Sequence, residues 1–187
     1  MVFKLLKYIK NTTIEVLRLS HRIRRDPRLS THVALTARAF LADKLYYSGN
    51  KDSSLEDSVN RVTKEFGSDF KIIYENFPLK LIKEKKKQGF FVVHLTVYGL
   101  MISKEIDEIR KNKKILVIIG GEKVPPEVYK LSDLNLSVTS QPHSEVASLS
   151  IFLHEYLRGK ELTSSFKDSK KEIFPQACGK KVINKQL

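Results

Sequence analysis

Apolar and polar residues alternate along the chain with two different periods, which predict strands and helices in turn. Two apolar segments, "FFVVHL" and "ILVII", are almost uninterrupted, which is typical of strands covered on both faces. Between the apolar segments, hydrophobic residues recur every three or four positions, as in amphipathic helices. The predicted strands are residues 14–19, 44–47, 71–74, 90–95, 115–119 and 134–138, with a further short strand near 181–183. This order predicts an α/β domain with a mainly parallel sheet and helices on both faces.

Length and composition fit a soluble globular protein. A chain of 187 residues accommodates one domain with a core, or one domain and a tail. No apolar run reaches the roughly 18 residues that a membrane span requires, and "MVFKLLKYIK" is too lysine-interrupted for a signal peptide. The single cysteine, Cys178, excludes an internal disulfide and a cysteine-based zinc site. We therefore expect a cytoplasmic protein without a membrane partner.

The positive charge is concentrated at the two ends of the chain. The net charge is +13, and residues 1–50 hold ten basic against three acidic side chains. Residues 160–187 hold seven lysines against three acids, whereas the region between is nearly neutral. Such clustering favours a polyanionic partner, because each neutralised phosphate releases counterions. The alternative is that the charge only keeps the protein soluble.

Three loops that follow predicted strands carry unusual residues. They are "TVYG" at 96–99, "GGEKVPPEVY" at 120–129 and "TSQPHSE" at 139–145. Glycines permit close approach of a ligand to the backbone, the prolines suit a helix start, and Ser144 is a candidate helix cap. Each loop alone is also typical of an ordinary turn. Because parallel strands bind ligands at their carboxyl ends, the three together predict a shared crevice.

A fourth candidate site is an arginine-rich loop near the N-terminus. Arg22, Arg24, Arg25 and Arg28 fall within seven positions, followed by Ser30 or Thr31 as a helix cap. Guanidinium groups bind phosphate in a forked geometry, so the loop predicts contact with an RNA backbone. The alternative is a solvated basic loop.

Several common sites are excluded by spacing. The sequence has no dinucleotide-binding glycine fingerprint, no phosphate-binding loop and no nucleophile elbow. Its five histidines show no metal-ligand spacing, so no metal site is expected.

Four segments resemble the archaeal tRNA (cytidine-56) 2′-O-methyltransferases, members of the SPOUT class. They are "VLRLSHRIRRDPRLSTHVALTARAF", "HLTVYG", "VIIGGEKVPPEVYKLSDLNLSVTSQPHSEVASLSIFL" and "FPQACGKKV". The resemblance implies a C-terminal trefoil knot, S-adenosylmethionine as cofactor, tRNA as substrate and a homodimer. It also divides the chain into an N-terminal extension (1–13), a methyltransferase domain (14–162) and a basic C-terminal extension (163–187).

The resemblance also assigns roles to individual residues. The predicted RNA contacts remain those of the arginine loop, Arg22, Arg24, Arg25 and Arg28. The implied cofactor contacts are Leu95, Gly120, Gly121, Glu122, Lys123, Val124, Val138, Thr139, Ser140, Gln141, Pro142, His143, Ser144 and Glu145. The family usually has glycine where this chain has Ser20 and Leu41, which puts the local backbone geometry in doubt.

The catalytic group stays open among several residues. Related knotted enzymes use an arginine near the target phosphate, and the candidates are Arg22, Arg25, Arg28 and Arg38, with Arg22 and Arg25 preferred. His21 or His32 is an alternative base, because histidine titrates near neutrality. His143 is interpreted as part of the cofactor loop. Two other functions remain: methylation of another tRNA or rRNA site, and RNA binding without catalysis.

Overall fold

The computed structural model describes residues 12–25, 27–121, 123–166 and 168–185. Eight strands and six α-helices follow one another in these regions, with a short 3₁₀ helix at Lys160–Thr163. In chain order they are β1 (Thr13–His21), α1 (Pro27–Ala39), β2 (Lys44–Gly49), α2 (Ser53–Phe66), β3 (Lys71–Tyr74), α3 (Pro78–Lys87), β4 (Phe91–Met101), α4 (Ile102–Ile109), β5 (Lys114–Ile119), α5 (Pro126–Leu131), β6 (Leu134–Ser137), α6 (Glu145–Leu157), β7 (Lys171–Phe174) and β8 (Lys181–Asn184).

Six strands form one sheet in the order β3-β2-β1-β5-β4-β6. All five pairings are parallel, which confirms the predicted sheet. The central strands β1 and β5 run in register, so that Arg18 lies beside Ile119 where both strands approach their carboxyl ends. The residues of β5 after Lys114 are all buried, as the uninterrupted apolar run predicted.

Helices cover both faces of the sheet, which confirms the predicted layers. On one face the buried residues of α1, α2, α4 and α6 pack with Val16, Val93 and Val117 of the central strands. On the other face α3 and α5 pack against Leu17, Val92 and other residues of the same strands. The alternation of side chains along each strand produces these two separate clusters.

Strand β4 is longer than the sequence predicted. It continues to Met101, and its pairing with β6 shifts register between Leu95 and Leu100. Within this shift a side chain on Gly99 would come within 2.5 Å of the Leu136 backbone. The segment 96–99 therefore leaves the ladder and lies in direct backbone contact with β6 at Gly99, which only glycine permits at that point.

Helix α1 begins three residues before the predicted cap. Its first residue is Pro27, whose ring fixes φ near the helical value, and Ser30 consequently lies in the first turn. The Ser30 hydroxyl lies 2.8 Å from His21 Nδ1, and His21 Nε2 lies 3.1 Å from Asp52 Oδ2. Ser30 thus anchors the end of β1 to the helix instead of capping it.

The C-terminal segment forms an antiparallel hairpin of β7 and β8. The predicted strand at 181–183 is confirmed, and its partner β7 is an addition. The hairpin is attached to α2, because the Lys170 N–H donates to the Glu65 carbonyl over 2.9 Å. Arg38 supports the same region, donating to the Gly67 carbonyl and lying 4.9 Å from the centre of the Phe166 ring. Among the described residues, no helix combines the length and the apolar character needed to cross a bilayer.

Candidate functional site

A cavity of about 460 Å³ opens at the carboxyl ends of β4 and β5. All three predicted strand-end loops contribute to its wall, together with the arginine loop. Predicted cofactor contacts in the wall are Leu95, Gly120, Gly121, Val124, His143 and Glu145. The predicted crevice therefore forms from segments that are far apart in the sequence.

The two glycines after β5 let the backbone form part of the wall. A side chain on Gly120 would overlap the Val124 Cγ2 atom, and one on Gly121 would contact the Arg18 guanidinium at 3.5 Å. Position 120 accepts only glycine while Val124 stays where it is. The backbone here is consequently open to close approach by a ligand.

Seven predicted cofactor contacts lie outside the cavity wall. Ser144 caps α6 by accepting from the Ala147 N–H over 3.2 Å, and the Ser137 hydroxyl donates to the Thr139 carbonyl over 2.6 Å. Val138 packs against the hydrophobic core. The others outside the wall are Lys123, Ser140, Gln141 and Pro142, all exposed. These residues shape the loop around the cavity, and Glu122 lies outside the described residues.

The arginine loop divides into two pairs. A turn closed by the hydrogen bond from the Arg25 N–H to the Arg22 carbonyl, 3.2 Å long, brings both residues into the cavity wall. Arg24 and Arg28 are exposed outside the wall. Arg22 and Arg25 can therefore contact a ligand in the cavity, whereas Arg24 and Arg28 can contact only a larger partner at the surface.

The remaining candidates for catalysis lie elsewhere. Arg38 is buried at the C-terminal end of α1, and burial lowers its pKa. His21 is buried with both ring nitrogens engaged, by Ser30 and Asp52, and His32 is exposed outside the wall. Of the arginines and histidines that the sequence left open for catalysis, only Arg22 and Arg25 line the cavity.

Comparison with known proteins identifies the family. The family model described as tRNA ribose 2′-O-methyltransferase, aTrm56, matches residues 66–183. The tRNA (cytidine(56)-2′-O)-methyltransferase of Methanocaldococcus jannaschii is 51% identical over 176 residues, 92% of this chain and 97% of the relative. The enzyme of the same name from Thermococcus kodakarensis is 45% identical, over 91% of this chain and 96% of its own. The chain belongs to this methyltransferase family.

Solved structures support the same fold for this aTrm56 family member. A TrmH/SpoU tRNA modifying enzyme of A. aeolicus aligns with a TM-score of 0.60 and 18% identity, over 86% of this chain and 83% of its own. The AviRb methyltransferase of Streptomyces viridochromogenes, in complex with AdoMet, aligns with a TM-score of 0.59 and 16% identity, over 79% of this chain and 57% of its own. At these identities the likeness establishes the SpoU-type fold of the sheet and helices.

Several wall residues of this aTrm56 family member were not predicted. His94 is buried beside the cavity, with Nδ1 2.9 Å from Asn135 Oδ1 and its ring 4.6 Å from that of Tyr129. Burial lowers the pKa of His94, so the ring is neutral at pH 7. The other wall residues that lie outside both the predicted contacts and the predicted loops are Ile119 and Ser148.

Arg18 lies behind this wall and was also missed. It occupies a buried position near the end of β1, and its Nη2 lies 3.6 Å from Glu145 Oε1. A signal for both Arg18 and His94 is present in the sequence. His94 is the one polar residue of "FFVVHL", and Arg18 lies between two buried leucines, Leu17 and Leu19. A polar group buried in such a position needs a partner.

Proposed function

We propose that this protein transfers a methyl group from S-adenosylmethionine to the ribose 2′-hydroxyl of cytidine 56 in the T-loop of tRNA. The proposal rests on one arrangement: the glycine loop, the 143–145 loop and two arginines line the same cavity. The family membership of the chain supports the reaction, and the names of its relatives support the substrate.

The residues present fit this cofactor. The cavity volume lies within the range of roughly 300–1,000 Å³ that small-molecule sites occupy. Leu95, the Gly120–Gly121 backbone, His143 and Glu145 would hold the molecule, and Glu145 would give its positive charge a counter-charge. When bound, the cofactor supplies a methyl group activated by a sulfonium, so the protein has to orient the ribose and manage its proton.

Arg22 and Arg25 are proposed as the catalytic residues. Arginine remains protonated at neutral pH and does not serve as a base. Its contribution would be to hold the phosphate beside the target ribose and to stabilise negative charge that develops on the 2′-oxygen. Both residues belong to one turn, and both line the cavity.

We further propose that tRNA is gripped outside the cavity by Arg24, Arg28 and the basic C-terminal extension from residue 163. A T-loop ribose is read mainly through RNA shape and phosphates, which suits exposed cations. The protein would act in the cytoplasm as a homodimer, and the exposed Ile151 on α6 is consistent with a covered helix face. Sedimentation at micromolar concentration would reject the dimer by yielding a monomer mass.

A trefoil knot is proposed for the C-terminal half of residues 14–162, the methyltransferase domain. The close backbone contact between Gly99 and Leu136 supports it, because it brings residues 96–99 against β6 in the part of the chain where the family resemblance implies the knot. An experimental chain trace in which no segment of this half passes through a loop would reject the knot.

The decisive experiment is a methyl-transfer assay. Purified protein, unmodified tRNA transcript and labelled S-adenosylmethionine are combined, and the methylated nucleotide is mapped. A 2′-O-methyl group on cytidine 56 is expected. Cofactor binding with methylation at another tRNA or rRNA site would reject the substrate. Binding of tRNA with no binding of the cofactor would favour an RNA-binding protein without catalysis.

Arg25→Ala tests the catalytic assignment. We expect turnover to fall by about 100-fold, the usual contribution of one preorganised charge, with cofactor affinity retained. The matched control is Arg24→Ala, which removes a neighbouring arginine outside the cavity wall. If both variants lose the same activity, Arg25 acts in general RNA binding and not at the reacting ribose.

A further inference from the structure

The cavity contains a carboxylate among several basic groups. Of the described residues in its wall, Glu145 is the only acidic one, while Arg22 and Arg25 are always positively charged. A cavity that receives both an RNA phosphate and a cationic ligand requires separate regions of opposite charge. Glu145 is the described wall residue suited to the cation, because an unpaired charge in a partly dry cavity is costly.

The position of Glu145 is fixed from two sides. It is the first residue of α6, where the helix dipole favours a carboxylate, and the preceding Ser144 caps the helix. Its side chain is 25% exposed, and its Oε1 lies 3.6 Å from Nη2 of Arg18. One oxygen of the carboxylate therefore faces the protein interior, and the group as a whole still reaches the cavity.

Arg18 is itself held in place. It is 1% exposed, and its Nη1 donates to the Leu19 carbonyl. A side chain on Gly121 would contact the same Nη1 at 3.5 Å, so the guanidinium lies directly behind the glycine loop. Arg18 thus connects β1 with the glycine loop and α6, the elements that carry the cavity wall.

We propose that Glu145 faces the sulfonium of the cofactor, that Arg18 is its positioning residue, and that the pair selects the methylated cofactor over the demethylated product. This inference rests on the proposed function, since it assigns the same cavity to S-adenosylmethionine. The two ligands share their ammonium, carboxylate and adenosine groups. They differ by one methyl group and by the positive charge on sulfur.

The reaction removes the charge that Glu145 recognises. The bond between the ribose oxygen and the methyl carbon forms as the carbon–sulfur bond breaks. The electron pair of the broken bond stays on sulfur, and the hydroxyl proton is released. Sulfur becomes a neutral thioether, so its attraction to Glu145 falls after each turnover and the spent product leaves more readily.

Calorimetric titration of Glu145→Gln with S-adenosylmethionine and with S-adenosylhomocysteine tests the selection. We expect affinity for the methylated cofactor to fall about tenfold more than affinity for the product, because only the former loses a charge–charge contact. Glu155→Gln, the same change near the other end of α6, is the control and should leave the ratio unchanged. An equal loss for both ligands would place Glu145 at a group they share and overturn the proposal.

A double-mutant cycle with Arg18→Lys tests the positioning role. Lysine keeps the positive charge but lacks the fork that reaches both Leu19 and Glu145. If Arg18 positions Glu145, adding Glu145→Gln to this variant changes the affinity ratio about twofold or less instead of tenfold. A full tenfold effect in the Arg18→Lys background would overturn the role of Arg18. Should Arg18→Lys fail to fold by circular dichroism, the same cycle with Arg18→Met, which keeps an unbranched side chain and removes the fork, replaces it.

The outcomes separate this inference from the proposed function. A wild-type protein that binds neither ligand would remove the cofactor assignment and the inference together. A wild type that binds both ligands, with an unchanged ratio in Glu145→Gln, would leave the methyltransferase standing and overturn only the selection by charge.

Discussion

Two residues, Ser20 and Leu41, hold the left-handed backbone conformation, with φ of 59° and 63°. For a residue with a side chain this conformation costs about 1–2 kcal/mol, because Cβ approaches the following carbonyl oxygen. The family resemblance places glycine at both positions. The positive φ explains the preference for glycine at these positions. In this chain Ser20, near the end of β1, and Leu41, after α1, adopt the same conformation with a side chain and are therefore strained.

Ser20→Gly should therefore stabilise the protein. The side chain of Ser20 is exposed, and its N–H donates to Ser48 Oγ, a bond that glycine preserves. The free energy gained by removing the strain is larger than the entropic cost of ordering glycine. The free energy of unfolding should therefore rise by about 0.5–1 kcal/mol. Urea unfolding measures the difference.

Leu41→Gly is the informative comparison. Leu41 packs against the main hydrophobic cluster, so its removal offsets the relief of strain and no stabilisation is expected. A lower unfolding midpoint for Ser20→Gly would mean that the hydroxyl or the serine backbone contributes more than the strain costs.

Residue-level prediction succeeded where a local rule decides the outcome. The Ser144 cap and the proline start of α5 depend on neighbouring residues in the chain, and both are present. The positions of Arg18 and His94 depend on partners more than 40 residues away: Arg18 pairs with Glu145, and His94 pairs with Asn135. Periodicity identifies them as buried but does not identify those partners.

At the scale of the element, β1 holds charged groups near both ends. Arg18 lies toward the cavity, and Glu15 lies near the other end, 2% exposed. Glu15 Oε2 is 2.5 Å from Nζ of Lys85, and Glu15 Oε1 is 3.2 Å from Nζ of Lys44. Burial is the largest single influence on Lys85 and opposes its charge. The hydrogen-bonding and charge interactions of the ammonium with Glu15 and Tyr46 together outweigh burial and raise the pKa of the lysine. This buried pair attaches α3 to the sheet.

Lys85→Met should destabilise the protein by about 3 kcal/mol, since the change leaves Glu15 buried with Lys44 as its remaining partner. Thermal and urea unfolding measure the loss. Lys80→Met on the same helix removes only an exposed pair with Glu84 and should cost less than about 0.5 kcal/mol. Equal effects of the two changes would show that the buried pair adds nothing to stability.

The strands were predicted nearly to their bounds, because the apolar runs are the parts of the chain that must be covered. The extension of β4 to Met101 was not predicted. Residues 96–99, "TVYG", form no apolar run, and they pack against β6, which comes more than 30 residues later. Contacts of that kind leave no local pattern in the sequence.

At the scale of the whole molecule, the positive charge is concentrated in the two terminal segments of the chain, and the region between them, the neutral body, has almost no net charge. The C-terminal hairpin carries exposed Lys180 and Lys181, and Lys181 lies 5.4 Å from the centre of the Phe174 ring. This placement brings lysines from the end of the chain onto a folded element attached to α2. The sequence shows that the C-terminal segment is basic. It does not show that this segment folds into a hairpin attached to α2.

Replacing Lys180 and Lys181 with glutamine should weaken tRNA binding and make it less sensitive to salt. Each lost phosphate contact is expected to lower the slope of log affinity against log salt by about 0.9. Fluorescence titration of labelled tRNA at several salt concentrations measures the slope. The matched control replaces Lys83 and Lys104, which are exposed on the neutral body. An identical slope in both double variants would exclude the hairpin from the RNA contact.

The backbone contact between Gly99 and Leu136 has a consequence for how the protein is made. During translation, residues 96–99 leave the ribosomal exit tunnel well before β6 does. The earlier segment therefore has no β6 to pack against when it first emerges. One side of the cavity cannot take its final shape until residue 137 or later has emerged. Nascent chains that end before this point should therefore contain most of the sheet and yet lack any ability to retain the methyl donor.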